Sequence, residues 1–353
     1  MTAEARDQTF AITDPGHGDA FTDHLFSMDW TPEEGWCHQS LGLMQNLSLH
    51  PATVGLHYGQ SAFEGLKAHR RTDDSMVVFR IRDHARRFQR SARRLAMPEL
   101  PEEMFVDAID QLVARDGRRL SDNPAHSLYL RPLLFAADAS LALRPSRTYK
   151  FLLMAFVADS FFGDHVDRVS VYISHEHPRA FSGGTGDVKV AGNYAPTYLA
   201  QLEAEAAGCQ QVMWLDAVER RYVEEMSGMN LFLVRGSQAI ARLVTPELTG
   251  TLLPGITRDT MLQIADRHGL TASEEHISLD QWRQECLNGT ITEAFACGTA
   301  AVVTPIGQVR DEGGDFMIGD GREGPVTTTL RTALTDLHHG IVDDIDDWLH
   351  VCH

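Results

Sequence analysis

Lysine is nearly missing from this chain: Lys67, Lys150 and Lys189 are the only three in 353 residues. Arginine supplies the rest of the positive charge, and acidic residues outnumber both, giving a formal net charge of −18. That balance repels a phosphodiester backbone and an anionic bilayer, so neither nucleic acid nor a membrane surface is an expected partner. No apolar run approaches the roughly 18 residues of a spanning helix, and the first residues lack the basic-then-apolar order of a secretion signal. The five cysteines, Cys37, Cys209, Cys286, Cys297 and Cys352, form no Cys-x-x-Cys. A chain this long needs no disulfide staples, so reduced thiols and a cytoplasmic location are expected. The glycine spacing of a Walker or dinucleotide loop is absent, as are repeats and low-complexity tracts. His175 and His177 flank Glu176, but Pro178 follows and no second ligand pair matches them, so no metal is expected there.

What is present is an ordinary globular composition, 43% apolar and 23% charged, in a length that suits two domains. An irregular arm is expected over 1–25. Met76 to Phe79 reads as a strand after a polar turn. Arg82 to Leu95 reads as a helix, with Ala85, Phe88, Ala92 and Leu95 at helical spacing and Pro98 beyond its end. Glu102 to Arg115 is a second helix, and Ser127 to Phe135 and Phe151 to Val157 are strands. The pattern places a first domain at 1–157, a linker at 158–168 and a second domain at 169–353. In the second domain a strand at Val169 to Ile173 precedes a glycine cluster, Ser182 to Asp187. A helix follows over Pro196 to Cys209, with Leu199, Leu202 and Ala206 aligned. Short strands come at Gln211 to Leu215, Arg221 to Glu225, Asn230 to Val234 and Ala239 to Val244. A helix at Ile256 to His268 and a strand at Ile291 to Ala296 complete the series. The mixture is α/β, with no regular βαβ alternation in its first half.

Several stretches could carry chemistry. Leu253-Pro-Gly-Ile-Thr257 leads straight into a helix, whose first N–H groups and partial positive charge suit a phosphate; taken alone, these residues favour a plain Pro-Gly turn with an ordinary cap. Cys297-Gly-Thr-Ala-Ala301 is a second tight turn able to present amides to an anion. Lys189 lies between a glycine cluster and Ala191-Gly-Asn-Tyr194. Small neighbours admit a ligand, and the flanking Val188 and Val190 favour a neutral amine that can attack a carbonyl; the alternative is a solvent-facing lysine at a strand end. Alternation along a strand sends Glu224 and Glu225 to opposite faces, one solvated and one buried beside a cation. The helix from Arg82 holds six arginines, and its period does not say whether one turns inward.

Taken in order, these stretches resemble the branched-chain amino-acid aminotransferases, which are fold-type IV pyridoxal-phosphate enzymes, and most closely their actinobacterial branch. The resemblance rests on Lys189-Val-Ala-Gly-Asn-Tyr194, Val223 to Phe232, Val244 to Leu248, Leu253 to Arg258 and Cys297 to Ala301. His57 to Lys67, Phe79 to Arg82 and Tyr129-Leu-Arg-Pro132 match the family's N-terminal half. It implies a small N-terminal α/β domain, a larger C-terminal pseudo-barrel domain and a homodimer. It implies pyridoxal 5'-phosphate as cofactor, with Lys189 as the lysine that joins its aldehyde. Glu225 then faces the pyridine nitrogen, Tyr194 lies beside the ring hydroxyl and Leu253 packs under the ring. Arg87, Ile256, Thr257 and Thr299 hold the phosphate. Ala300 takes the substrate carboxylate, Tyr58, Phe63, Tyr129 and Arg131 line the substrate pocket, and Leu143 is a lid residue reaching toward the second subunit.

The implied reaction is transamination between branched-chain L-amino acids and 2-oxoglutarate, giving branched 2-oxo acids and L-glutamate. An apolar aromatic wall suits leucine, isoleucine and valine, and Arg131 suits the distal carboxylate of glutamate. The chain departs from the family at Ala191, where a glycine is usual, and at Val157 to Phe161, where Phe161 keeps an aromatic ring but loses a hydroxyl. These departures point to a same-fold enzyme specialised for an unusual amino acid as the first alternative. A D-amino-acid aminotransferase or aminodeoxychorismate lyase is disfavoured by Tyr129-Leu-Arg131. A non-catalytic phosphate-ligand binder has no need of Lys189.

Overall fold

The computed structural model describes residues 11–159, 168–236 and 240–352. The chain divides into two compact units, one of Met1–Gly163 with Asp336–His353, the other of Asp164–Thr335. The last stretch thus groups with the first unit, whereas the sequence pattern placed all of 169–353 in the second domain. Most of the expected linker, 160–167, lies outside the described residues.

The first unit contains strands β1 (Phe21–Thr31) and β2 (Gly35–Leu43), the short helix α1 (Val54–Tyr58), and strands β3 (Ser61–Phe63), β4 (Leu66–Arg70) and β5 (Met76–Phe79). Helices α2 (Ile81–Arg94) and α3 (Glu102–Asp116) follow, then strands β6 (Ser127–Ala136) and β7 (Tyr149–Ala158). Its eight-stranded sheet runs β17-β5-β4-β6-β7-β1-β2, with β3 also on β6 and β17 being Leu349–Val351. The central strands β6 and β7 are near-continuous apolar runs because both of their faces are covered. β1 alternates instead, turning Thr22, His24, Phe26 and Met28 inward. It begins within the expected irregular arm, since this alternation suffices to pair Phe21 onward with β7. The inward His24 is satisfied by Asp116 of α3, which takes its Nδ1 at 2.6 Å and its backbone N–H at 3.0 Å. α2 matches the expected helix to within one residue at each end. Its buried side carries Phe88, whose ring packs near Phe105 of α3 and Phe151 of β7.

The same side of α2 carries a buried ion cluster. Arg87 donates from Nε (2.6 Å) and Nη2 (2.9 Å) to the two carboxylate oxygens of Glu64, and His84 Nδ1 lies 2.9 Å from Glu64 Oε2. Burial alone would push the Glu64 carboxyl up, but the charge of Arg87 and hydrogen bonds from Arg87 and His84 prevail and hold it well below the carboxylate range.

The second unit starts at β8 (Val169–Ser174) and continues through α4 (Tyr198–Ala206), β9 (Gln211–Leu215), β10 (Val223–Met226), β11 (Met229–Arg235) and β12 (Arg242–Pro246). α5 (Ile256–Arg267), β13 (Thr271–Glu275), α6 (Leu279–Leu287), β14 (Ile291–Gly298), β15 (Val302–Arg310), β16 (Phe316–Met317) and α7 (Pro325–His338) complete it, α7 crossing the boundary between the units. Strand order is β10-β9-β8-β15-β14-β11-β12-β13, with β16 on β15. Because β10 also pairs with β11, six of these strands close into a ring, the pseudo-barrel of a fold-type IV enzyme. α4 packs through Ala200 and Ala204 onto Val212 and Trp214, while Leu199 and Leu202 are exposed. The small residues, rather than the aligned leucines, let this helix approach the sheet.

Since the folded-state Glu64 carboxyl lies below its unfolded value of 4.5, the ion cluster adds stability above about pH 4.5 and loses it as pH falls toward the folded value. Glu64→Gln should therefore flatten the acid limb of a plot of urea unfolding midpoint against pH. At pH 7 it should cost about 3–5 kcal/mol, because Arg87 is left buried without its counter-charge. Equal acid slopes in both proteins would refute this.

Candidate active site

In the second unit the site grows from the loop after β8. Lys189 is half-buried between the buried Val188 and Val190. Its backbone is fixed by Asn193, whose amide donates to the carbonyls of Thr185 (2.7 Å) and Val188 (2.8 Å) and accepts from the Thr185 hydroxyl (2.6 Å). The glycine cluster is a packing requirement here: a Cβ on Gly186 would collide with the Thr251 carbonyl and with Ala180. A 3-10 turn at Ala191–Asn193 then brings the Tyr194 hydroxyl to 3.1 Å from Lys189 Nζ.

β10 carries Glu225, which is 1% exposed. Its Oε1 accepts a hydrogen bond from Arg179 Nη2 at 2.8 Å and another from the backbone N–H of Leu253. The buried Arg179 side chain also donates to the carbonyls of Gly186 and Thr251. It thereby ties the Lys189 loop, the Glu225 carboxylate and the chain before Leu253 to one guanidinium. Burial raises the Glu225 carboxyl above its ordinary value, opposed by the charge of Arg179, the Leu253 N–H, Lys189 and Arg258. The other face of the strand does not behave as alternation suggested. Glu224 is buried too, at 4% exposure, because Thr251 covers it and donates to its Oε1. Burial likewise raises its carboxyl.

The Leu253–Thr257 turn is held by β11. Asn230 Nδ2 donates to the Leu253 carbonyl at 3.0 Å, and its Oδ1 occupies the space a Cβ on Gly255 would need. α5 then starts without a side-chain cap, with Ile256 and Thr257 buried in its first turn. The register explains how Thr299 and Ala300 join this end of the ring. Glu225 is opposite Asn230, Asn230 is opposite Cys297, and the two residues occupy the turn just beyond Gly298. Lys189, Tyr194, Glu225 and Leu253 are thus linked by hydrogen bonds and charge. The strand ends and the turn before α5 position Ile256, Thr257, Thr299 and Ala300.

The remaining candidates belong to the first unit. Arg87 is buried in the Glu64 cluster. Tyr129 of β6 stacks on Phe156 of β7 with ring centroids 4.8 Å apart, and the Arg131 guanidinium lies 5.0 Å from the Phe63 ring centre and 5.5 Å from that of Tyr129. Tyr58 donates its hydroxyl to the Leu141 carbonyl at 2.8 Å, and Leu143 is 91% exposed. Phe161 lies outside the described residues. Lys67 is buried on β4, and desolvation lowers its amine to about 8.

Sequence reasoning missed four residues that build these arrangements. Arg179 and Asn230 act through partners 23 to 72 residues away, and Asn193 through Thr185 and Val188; the two asparagines lie within the family-like motifs, but their side-chain roles were not read from them. His17 sets its ring edge-on to Tyr129 (6.0 Å) and Phe156 (5.6 Å), from within a stretch expected to be irregular.

Comparison with known proteins agrees with this architecture. Residues 61–309 match the family described as amino-transferase class IV. The chain is 50% identical over 341 residues to a Mycolicibacterium smegmatis branched-chain-amino-acid aminotransferase, covering 96% of this chain and 92% of the relative. It is 47% identical to a Mycobacterium tuberculosis protein of the same name, with 96% and 92% covered. Among solved structures it is similar to the Escherichia coli branched-chain amino acid aminotransferase (TM-score 0.79, 27% identity, 94% of this chain and 100% of the other). It is also similar to a T.th. branched-chain amino acid aminotransferase with pyridoxamine 5'-phosphate (TM-score 0.77, 28% identity, 94% and 99%). A closed six-stranded ring with an amine, a phenol and a buried carboxylate gathered at its strand ends, matched by family over most of its length, places this chain in the class IV aminotransferases.

Proposed function

We propose that this chain is a pyridoxal-phosphate-dependent aminotransferase that exchanges the amino group between branched-chain L-amino acids and 2-oxoglutarate. The observation that carries the reading is Lys189 Nζ, 3.1 Å from the Tyr194 hydroxyl and within the electrostatic reach of a buried Glu225 that is itself aimed by Arg179. The donor set fits the cofactor: an amine for its aldehyde, a carboxylate for its ring nitrogen, and an uncapped helix start with the Thr257 hydroxyl for its phosphate.

When bound, pyridoxal phosphate supplies an electron-withdrawing ring and a carbonyl that takes up and releases the amino group. The chain's own groups do the rest. Lys189 Nζ holds the cofactor between turnovers and moves the proton to and from the substrate Cα. Glu225 keeps a proton at the ring nitrogen, and Arg179 with the Leu253 N–H fixes the direction of its carboxylate. Tyr194 hydrogen-bonds at the ring hydroxyl, and Leu253 packs under the ring. Ile256, Thr257, Thr299 and Arg87 bind the phosphate, with Glu64 orienting Arg87. Ala300 offers its amide to the substrate carboxylate. Tyr58, Phe63, Tyr129 and Leu143 serve as the apolar walls, and Arg131 takes the distal carboxylate of glutamate. We assign a homodimer in the cytoplasm. All five cysteines are unpaired, and no helix among the described residues is long and apolar enough to cross a membrane.

His17 supports a second reading, a pocket adapted to a less apolar amino acid. It places an imidazole against the Tyr129–Phe156 stack. A coupled assay with 2-oxoglutarate against leucine, isoleucine, valine and a panel of polar L- and D-amino acids separates the two readings.

Lys189→Ala should leave the circular dichroism unchanged but abolish transamination and the near-visible absorption band. Activity within about tenfold of wild type, a barrier change of only ~1.4 kcal/mol, would refute the assignment. Glu225→Gln should lower kcat by about a hundredfold or more while the cofactor stays bound, since general acid–base and charge-stabilising groups contribute on that order. Equal losses in kcat and cofactor affinity would count against its role at the ring nitrogen. Arg179→Met should shift the acid limb of the kcat–pH profile upward, because Glu225 loses its nearest cation and ionises at higher pH. An unmoved limb would reduce Arg179 to a packing residue.

A further inference from the structure

We propose that Asp110, His350 and Cys352 form a binding site for a divalent transition-metal ion of the zinc type. Asp110 lies on helix α3 of the first unit, His350 on strand β17 and Cys352 just past the end of that strand. β17 runs antiparallel to β5, with His350 opposite Val78, and the N–H of Cys352 continues the ladder by donating to the Met76 carbonyl at 2.9 Å. Residues 350 and 352 are two apart along extended backbone, so their side chains leave on the same side. That side meets α3. His350 Nε2 lies 2.8 Å from Asp110 Oδ1, and the Cys352 thiol lies beside the same carboxylate. One nitrogen, one sulfur and one oxygen therefore lie within 4.8 Å of one another.

The donor chemistry selects the ion. Calcium and magnesium call for shells made wholly of oxygen. Imidazole, thiolate and carboxylate together suit zinc, whose tetrahedral shell would be completed by one water. All three residues are partly buried, which leaves a path for the ion while limiting competition from solvent. Without an ion, protons hold the cluster together. Burial and Asp110 keep the proton on the thiol, and the imidazole Nε2 is hydrogen-bonded to the carboxylate. Metal binding forms bonds to Nε2, Sγ and a carboxylate oxygen; the thiol proton goes to solvent, and the neutral imidazole carries its own proton on Nδ1. The two negative ligands then neutralise the dication. The ion would fasten the last strand of the sheet to α3.

A second group, Glu34, Cys37 and His38, offers the same donor types, but Glu34 and His38 are exposed around the β1–β2 turn. It serves as the control. Tag-free holoenzyme, freed of excess cofactor, would be dialysed to equilibrium against micromolar Zn2+ and assayed for bound metal per chain. Thermal unfolding would be followed with and without the ion. The expected result is one zinc per chain, accompanied by a rise in Tm. His350→Gln and Cys352→Ser should each lose that one equivalent and the rise in Tm, while Cys37→Ser keeps both. Retention of the near-visible cofactor band and of transamination would establish that the variants are folded. No zinc uptake by the wild type, unchanged uptake in both the His350 and Cys352 variants, or loss of the equivalent in Cys37→Ser would each overturn the proposal.

Discussion

The candidate site depends on one buried carboxylate. Glu225 is enclosed in a strand whose four residues are all buried, where an anion is costly unless its lone pairs are matched. The match is made by a guanidinium and a backbone amide, both drawn from elsewhere in the chain. Because Arg179 also binds the carbonyls of Gly186 and Thr251, the position of the acid cannot change without moving the loop that carries Lys189 and the chain leading into α5. The charge that tunes the site and the bonds that shape it are one network. Such preorganisation spares the reaction the work of reorienting dipoles.

The remainder of the ring supports this network by register. The ends of β10 and β14 meet the start of β11, and the turn that leaves β14 carries Thr299 and Ala300. Gly186 and Gly255 serve close approach rather than flexibility, each leaving room for a polar atom that fixes a neighbouring loop. The first unit uses the same device in Arg87, where a cation is held in place by its own acid before any ligand is considered.

Much of this was legible in the sequence. The bounds of α2, α3, β5, β6 and β9 follow from apolar period and turn residues, because those elements bury one regular face or two. Motif order carried the family and singled out Lys189 and Glu225 as candidates. What stayed hidden depends on distant partners. The solvated position expected for Glu224 failed because Thr251, 27 residues later, covers it. The leucines aligned on α4 gave the wrong packing face, since the small alanines allow closer approach. Arg179 carries no local signal, because its three partners lie 7, 46 and 72 residues away. The place of 336–353 in the first unit rests on a three-residue strand, too short to announce its partner by composition.

That short strand has a consequence for how the protein is made. Between β7 and β17 the ribosome must produce the whole of the second unit. Until then the outer edge of β5, Met76–Phe79, offers open hydrogen-bonding groups on an apolar strand, the kind of edge that recruits another chain. The first sheet can assemble early, but its closing strand arrives only after the second unit. Loss of residues 349–351 would therefore expose that edge in every molecule, and aggregation rather than loss of chemistry would be the first symptom.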